Sequence, residues 1–508
     1  MALQGSKLVL VNTCAQYFRA ILNIVLSFYA TRLILKVLGV DDYGVYTLIA
    51  GVVSILSFVT TSLVITTQRY LSVAQGENDV TKSKIIFNNS FILHFVIGCV
   101  IIVVFESIFP LLFSGFLVIP PTSLKSAMIL YHLVVAILFF TLIASPFRAV
   151  LVSHENIIYI TIVEILNSIF KLLIAFALAY VSTGKLVVYG LLMMLIQVFD
   201  LLALSVYCYS KYKECIFPSI KLIDKSYLRG LFSFAGWTMY NLICNLGRTQ
   251  GLSILLNHYK GPAINTAYGL GFQVSGGLGQ LSQSILNAIN PKLMKAGGSG
   301  DRNKMIRMAE IESKIAFFLL SAAAIPCLFE LPRLLELWLD EVPQYAVLFC
   351  RMVILAALAD ILTVGLGAVN QALGDIKKYT IVIYTLKLST LIVAVVLFLL
   401  GYEVLYIAIA YVLIELFTSI LRLPLVKSNS NISIRQFVEK VFMKELLPLV
   451  VLVTSCFLIT YYFDGGCRFI LTFIVSVVLY VVAISLFGLC DDEKSIINLL
   501  LKRKIFKL

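Results

Sequence analysis

Residues 379–424 read YTIVIYTLKLSTLIVAVVLFLLGYEVLYIAIAYVLIELFTSILRLP, which is two apolar runs separated by the dipeptide Gly401-Tyr402. Each run has 22 residues, and an α-helix needs about 20 apolar residues to cross the hydrocarbon core of a bilayer. The glycine and the short connection predict two antiparallel spanning helices. This stretch therefore indicates an integral membrane protein built from helices.

The rest of the chain has the same character. Of its 508 residues, 60% are apolar and only 13% are charged, whereas soluble domains carry about 25% charged residues. Soluble, disordered and collagen-like classes are thereby excluded, and continuous apolar runs exclude a β-barrel. We predict an all-α protein with about 14 spans, at residues 8–31, 42–66, 85–109, 124–147, 157–180, 185–209, 230–257, 263–290, 305–329, 345–370, 379–400, 403–424, 446–463 and 468–489.

The basic residues predict the orientation of these spans. With the N-terminus in the cytoplasm, 27 of the 40 Lys and Arg residues fall in cytoplasmic segments, 8 fall on the opposite side and 5 lie within spans. This asymmetry follows the positive-inside rule and places both termini in the cytoplasm. It also accounts for the net charge of +13, so we expect no nucleic-acid partner. The basic tail at 502–507 belongs to the same signal, with contact to anionic membrane lipid as the alternative.

A weak internal repeat predicts two pseudo-symmetric lobes of six helices each. At an offset of 222, Gly39 aligns with Gly261 and Pro110 with Pro332. Six is an even number, so the two halves share one orientation, as in parallel-repeat transporters. The predicted organisation is an N-lobe at 1–209, a basic cytoplasmic linker at 210–229, a C-lobe at 230–425, and two appended helices with a cytoplasmic tail at 426–508.

The sequence offers no pattern for covalent chemistry. No phosphate-binding loop, dinucleotide fingerprint, GxSxG or HExxH motif occurs. The ten cysteines form no CxxC pair, and the four histidines stand apart. We therefore expect no catalytic residue, no metal site and no cofactor. An enzyme such as a multispan polymerase, ligase or glycosyltransferase would also be expected to carry a large extramembrane domain, which this chain lacks.

Ionisable residues inside the spans are the candidate functional groups, because they are costly at membrane depth and face the protein interior or an aqueous cavity. Arg19, Lys171 and Arg248 have no evident partner nearby in sequence and come from both halves. Together they would form an anion site, with arginine suited to phosphate oxygens. The alternative is that each pairs with a carboxylate elsewhere or snorkels.

Three further charged residues lie within the last spans of the C-lobe. Lys387 and Glu415 are each 14 residues from Gly401, so antiparallel helices place them at equal depth, and we predict a structural ion pair. Asp360 is a candidate for binding a coupling proton or cation. A structural partnership of Asp360, for example with Lys387, is the alternative.

Several stretches of the chain follow a known pattern in order and spacing. They are TRLILKVLGVDDYGVYTLIAGVV (31–53), TTQRYLS (66–72), SFAGW (233–237), GPAINTAYGLGFQV (261–274), NAINP (287–291), LELWL (335–339), VPQYAVLF (342–349) and QALGDIKKY (371–379). In these stretches the chain resembles bacterial polysaccharide flippases, the Wzx-like transporters of O-antigen and capsule repeat units, in the superfamily that includes the MATE exporters. The resemblance covers most of residues 1–425.

The resemblance implies a transporter of the bacterial inner membrane that works by alternating access. Its cargo would be an undecaprenyl-diphosphate-linked oligosaccharide, moved from the inner to the outer leaflet, and its partners would include polysaccharide polymerase or assembly proteins. Related lipid II flippases contact the diphosphate through arginines on the first span and on the seventh or eighth, to which Arg19 and Arg248 correspond. Many relatives carry a basic residue where Tyr268 stands here, so Arg248 would take its place.

Two other functions are considered beside the flippase. A multidrug or cation exporter of the same fold would be expected to line its cavity with carboxylates and aromatic rings. The three intramembrane cations argue against that function. The enzymes named above are disfavoured by the absence of an extramembrane domain.

Overall fold

The computed structural model describes most of the chain, and Arg19 lies outside the described residues. Among those residues the secondary structure is helical throughout, with no strand. The described positions are 26, 29–30, 33–34, 36–39, 42–51, 57–116, 119, 121, 123–260, 262–339, 342–430 and 432–494.

The helices follow one another with short connections. Residues 42–51 are helical. The helices after them are α1 Ser57–Gly76, α2 Val80–Leu111, α3 Leu124–Ser153, α4 Ile157–Ala177, α5 Lys185–Lys211, α6 Lys225–Lys260, α7 Pro262–Gly298, α8 Arg302–Trp338, α9 Ala346–Ile361, α10 Val364–Leu373, α11 Lys377–Leu388, α12 Thr390–Leu399, α13 Val404–Ser430, α14 Ile434–Phe437, α15 Met443–Tyr462 and α16 Arg468–Ala483.

The fold is that of an all-α membrane protein. Within the described part of the chain, nine helices are long and apolar enough to cross a membrane, or ten if the bent pair α9–α10 is one span. From the third predicted span onward, each coincides with a helix or with consecutive helices. Helices α6 and α7 are as long as their neighbours but are not among the nine. The number of 14 spans therefore stays a prediction.

Local sequence explains where several helices begin and end. The Asp79 and Asp301 side chains accept hydrogen bonds from the backbone N–H of Lys82 and Lys304, at 2.9 and 3.0 Å. Each bond satisfies a donor that the first helical turn leaves free, so these residues are N-caps of α2 and α8. Gly374 ends α10 with φ +91°, a left-handed conformation that glycine adopts without steric cost.

The described residues form two compact units, 26–239 and 240–494. The division falls inside α6, whereas the predicted lobes meet at the linker 210–229, and that lobe division stays a prediction. Apolar side chains of α1, α2 and α3 make one core of the N-terminal unit. The largest core of the C-terminal unit joins α7, α8 and α9 with α13, α15 and α16.

In the N-terminal unit, two adjacent asparagines of α2 hold the segment that leads into α6. The Asn88 side chain accepts from the N–H of Ser219 at 2.7 Å and donates to the same residue's carbonyl at 3.0 Å. Asn89 donates to the carbonyl of Leu222 and accepts from the N–H of Asp224, at 3.1 and 3.0 Å. Both asparagines are fully buried. The second half of the predicted linker therefore follows a defined path.

In the C-terminal unit, polar contacts join α16 to α8. The buried carboxylate of Glu330 accepts two hydrogen bonds of 3.0 Å from Arg468, at the start of α16. Further along both helices, the hydroxyls of Ser321 and Tyr480 lie 2.7 Å apart. The predicted last two spans are thus packed within this unit by polar as well as apolar contacts.

Candidate functional site

Five charged side chains form a buried ion network in the C-terminal unit. They come from four helices that are distant in sequence, α6, α9, α11 and α13. The members are Arg248, Asp360, Lys387, Glu415 and Arg422. Three cations and two carboxylates give the network a net charge of +1. We call it the ion network below.

Small residues on α6 bring the helices of the network together. Gly247 and Gly251 have the small-xxx-small spacing that lets membrane helices approach closely. A methyl group on Gly251 would lie 2.7 Å from Leu391, and one on Gly247 would touch Leu388 at 3.4 Å. The approach places Arg248 against the helices that carry Lys387 and Glu415.

Glu415 is the shared anion in the first half of the network. Its Oε2 accepts a 2.5 Å hydrogen bond from Nη1 of Arg248, and its Oε1 contacts Nζ of Lys387. The guanidinium carbon of Arg248 also lies 4.5 Å from the centre of the Tyr411 ring. Glu415 therefore holds a guanidinium on one oxygen and an ammonium on the other.

Asp360 is the shared anion in the second half, at the place where the tenth predicted span breaks. Helices α9 and α10 meet there at a bend of 48°. Asp360 Oδ1 accepts from Lys387 Nζ at 2.7 Å and also contacts Nη2 of Arg422. Nη1 of Arg422 donates to the backbone carbonyl of Asp360 at 2.9 Å. Arg422 thus binds the C-terminal end of α9, where the helix dipole favours a cation.

Exposure differs sharply within the network. The side chain of Asp360 is 39% exposed, compared with 5% for Lys387 and 3% for Glu415. Asp360 is therefore the least enclosed member of the network in the described part of the chain. A coupling cation at Asp360 would compete there with an ammonium and a guanidinium.

Several buried polar atoms around the network lack a hydrogen-bond partner among the described residues. They are Nε of Arg248, Nε of Arg422 and the hydroxyl of Tyr268. Tyr268 is buried on α7 and interacts electrostatically with Arg248 and Tyr411. Nε–H groups are donors, and a phenol can also donate. The unpartnered atoms are therefore suited to an anion.

The N-terminal unit contains a second ion network among the described residues. Arg148 of α3 donates to Glu164 of α4 at 2.5 Å, and it lies 4.0 Å from Asp200 of α5. Asn167 donates to Asp200 at 2.9 Å. Among the described residues, one cation here meets two carboxylates, whereas the network of the C-terminal unit has three cations for two carboxylates.

The structure places the predicted site residues as follows. Lys387 and Glu415 are in contact, and Lys387 also binds Asp360. Arg248 is paired with Glu415 rather than standing alone. Lys171 is an exposed residue of α4 with no ion-pair or hydrogen-bond partner in the described part of the chain. It belongs to the other unit, and Arg19 is outside the described residues, so the predicted joint role of these cations stays a prediction.

Sequence reasoning missed Arg422, which it assigned to the cytoplasmic end of its span. Arg422 is only 4% exposed and binds Asp360 through both side chain and backbone. A usable signal existed, since Arg422 lies seven residues after Glu415. That spacing is two helical turns and puts both on one face of α13.

The chain superposes on several solved structures over most of its length, although the sequence identity is low. The chain superposes on a point mutant of a MATE transporter with a TM-score of 0.72 and 12% identity, covering 84% of this chain and 96% of that one. A MATE transporter in complex with Rb⁺ gives 0.69 and 15%, covering 85% and 96%. A MOP superfamily transporter from Pyrococcus furiosus gives 0.70 and 11%, covering 84% and 96%.

No protein-family profile and no curated protein matches the sequence. The structural likeness establishes the fold. The chain has the fold of the MATE transporters of the MOP superfamily, in agreement with the class that the sequence resemblance implied. Its cargo is a separate question, which the charges of the ion network address.

Proposed function

We propose that the protein is a transporter rather than an enzyme, and that it flips an anionic lipid-linked oligosaccharide. The cargo would be an undecaprenyl-diphosphate-linked repeat unit of a surface polysaccharide. It would move from the inner to the outer leaflet of the bacterial cytoplasmic membrane by alternating access, with both termini of the protein in the cytoplasm. Polysaccharide polymerase or assembly proteins would act on the cargo afterwards.

The charge balance of the ion network carries this proposal. Both carboxylates, Asp360 and Glu415, are engaged by cations, and one positive charge remains in excess. The Nε–H groups of Arg248 and Arg422 and the hydroxyl of Tyr268 remain unpartnered among the described residues. A diphosphate supplies oxygens for such donors, and arginine binds phosphate oxygens with planar, directional geometry.

A multidrug or cation exporter is the second candidate. One similar structure is an outward-facing multidrug resistance MATE transporter, so the fold is used for that purpose. For the Pyrococcus furiosus transporter, however, a reversed polarity of the binding pocket suggests a different function. Polarity thus varies within this fold, and the cationic excess of the ion network favours an anionic cargo.

The test measures transbilayer movement of lipid-linked repeat units in proteoliposomes, with Arg248→Ala and Arg248→Lys beside the unmodified protein. A charge-assisted hydrogen bond contributes about 1.5–3 kcal/mol, so Arg248→Ala should weaken cargo binding by about 10- to 100-fold. Arg248→Lys should give an intermediate loss, since it keeps the charge but not the planar fork. Inserted protein is quantified in parallel.

Two control variants separate cargo binding from folding. Arg468→Ala breaks a partly buried ion pair with Glu330 outside the network, so it should lower stability without changing cargo affinity. Arg435→Ala removes a cation that is 89% exposed and should change neither. Full transport by Arg248→Ala, or export of cationic drugs with no movement of lipid-linked sugars, would overturn the proposal.

A further inference from the structure

The N-terminal third of α8 contains a carboxyl group that forms no ion pair or hydrogen bond among the described residues. Glu312 has no exposed surface, and both of its carboxylate oxygens lack a hydrogen-bond partner in that part of the chain. Its neighbours on the same helix differ. Glu310 is paired with Arg307 at 3.0 Å, and Lys314 is paired with Glu493 at 2.6 Å.

No charged group on the helices packed against α8 forms an ion pair or a hydrogen bond with Glu312 among the described residues. On α9, Asp360 binds Lys387 and Arg422, and Arg351 is exposed. On α16, Arg468 binds Glu330. On α15, Glu445 is a second buried carboxyl group whose two oxygens lack a hydrogen-bond partner among the described residues. Lys440, just before α15, lies 3.7 Å from Glu310. Lys292 and Lys295 of α7 have other interactions, and α10 contains no charged residue.

An isolated ionised carboxylate in such surroundings is strongly disfavoured, and a buried acid without a partner is neutral instead. Glu312 is therefore protonated in the conformation described here. An ionisable residue inside a membrane span that faces protein, without an ion pair, has the properties of a proton-relay group.

The position of Glu312 connects it to the bend between α9 and α10. Gly365, at the start of α10, lies so close to α8 that an added methyl group would be 2.2 Å from the carbonyl oxygen of Ala309. The N–H of Gly365 also donates to the hydroxyl of Ser313 at 3.0 Å. Glu312 thus lies in the stretch of α8 on which α10 packs. A change of the bend at residues 361–364 alters that packing and with it the access of water to Glu312.

We propose that Glu312 binds and releases the proton that drives the transport cycle, with the acid protonated while α10 is packed on α8 and ionised when that contact opens. This inference rests on the protein being a transporter, and it assigns the coupling to a proton at α8 rather than to Asp360. The proton leaves the Glu312 carboxyl oxygen to water and is regained from water, so no other reactant is needed.

The test compares Glu312→Gln with Glu310→Gln, a matched change two residues away at a buried but ion-paired carboxylate. In proteoliposomes that contain lipid-linked repeat units, a pH gradient should accelerate flipping by the unmodified protein and by Glu310→Gln. Glu312→Gln should flip at equal rates with and without the gradient. Gradient-dependent acceleration that survives in Glu312→Gln would overturn the inference.

A second measurement does not depend on the cargo. Infrared spectroscopy of the purified protein at neutral pH should show a protonated-carboxyl signal from Glu312, measured as the difference between the spectra of the unmodified protein and Glu312→Gln, whereas Glu310→Gln should show no such difference. If Glu312→Gln fails to insert, Glu312→Asp keeps the acid, and its band should persist at neutral pH. An ionised Glu312 at neutral pH would refute the inference. Failure of the unmodified protein to flip any lipid-linked sugar, with the band present, would refute the proposed function instead.

Discussion

A single ammonium group, that of Lys387, bridges the carboxylates of Asp360 and Glu415. Two carboxylates that share a buried site repel each other unless a cation or a proton lies between them. Arg248 and Arg422 then bind the outer sides of the pair, one at each end. Because removing one partner from a buried ion pair costs about 3–5 kcal/mol, each member of the ion network depends on the others for its charge.

An ion pair of two residues lies outside the predicted membrane spans of the N-terminal unit. His154, just after α3, donates to Glu214 in the segment between α5 and α6. The imidazole ring is stacked on Tyr212, with 4.1 Å between ring centres. Burial raises the pKa of Glu214, but the hydrogen bond and charge of His154 outweigh it, so the pKa is lowered overall.

This direction predicts an acid-dependent loss of stability. A carboxyl group with a lowered pKa in the folded state contributes stability above its unfolded pKa of about 4.3. That contribution is lost as the pH falls through the folded value. We expect the thermal midpoint in detergent to fall more steeply below about pH 5 in the unmodified protein than in Glu214→Gln. Glu77→Gln, which removes an exposed partner of Lys82, should keep the steep fall; equal slopes in all three proteins would contradict the prediction.

At this scale, the sequence indicates contacts between neighbouring helices better than contacts across the fold. Lys387 and Glu415 are placed together by their equal distances from Gly401. Arg248 and Arg422 are not placed, because their partners lie 167 and 62 residues away. Arginine near the end of a span also has the ordinary explanation of a topology signal, which concealed the contact of Arg422 with Asp360.

The break between α9 and α10 is the feature at the scale of elements that places Asp360. Residues 345–370 are mostly apolar, with Arg351 and Asp360 as the charged exceptions, so hydropathy predicts one straight span. The bend is held by polar contacts that hydropathy does not register. Thr363 donates to the carbonyl of Ser419 at 3.0 Å, and Arg422 binds the carbonyl of Asp360. Groups freed from the helix ladder are thus satisfied by α13.

Close packing at the break makes Gly365 sensitive to substitution. Gly365→Ala would bring a methyl group against backbone of α8, which cannot move aside as a side chain can. We expect a loss of about 1–3 kcal/mol, the range for overpacking a core, measured as a lower thermal midpoint and less inserted protein. Gly277→Ala, on α7 with no atom within 4 Å of the added methyl group, should be neutral or stabilising by about 0.5–1 kcal/mol. Equal tolerance of both changes would show that α8 and α10 are not in the described contact.

At the scale of the whole molecule, each of the two units contains a group of paired charges among the described residues. The repeat offset of 222 found in the sequence pairs Asp200 with Arg422, an anion in one unit and a cation in the other. Helical architecture was therefore predictable from hydropathy. The networks were not, because the predicted repeat does not preserve charge, as the alignment of Asp200 with Arg422 illustrates.

The last described residues contact α8 through a buried ion pair. Lys314 has no exposed surface and donates to Glu493 at 2.6 Å. Arg307 binds Glu493 as well as Asp492, which is 56% exposed. Residues 490–494 therefore supply the counter-charge for a buried lysine of the ninth predicted span.

Removing that counter-charge should destabilise the C-terminal unit. We expect Glu493→Ala to lower the free energy of unfolding by about 3–5 kcal/mol, the cost of leaving a buried charge unpaired. Asp492→Ala, on an exposed carboxylate, should cost at most about 1 kcal/mol. The double variant Lys314→Met with Glu493→Gln should recover much of the loss, because no charge of this pair then remains buried. Thermal unfolding of the purified variants provides the comparison, and equal effects of the two alanine changes would argue against the buried pair.

The two asparagine side chains of α2 bind backbone groups of the segment between α5 and α6. Asn88 and Asn89 bind amide and carbonyl groups of Ser219, Leu222 and Asp224 rather than their side chains. These contacts with the segment therefore do not depend on which side chains Ser219, Leu222 and Asp224 carry. Replacing the lysines that are predicted to orient the protein in the membrane should leave the contacts that guide the chain into α6 intact.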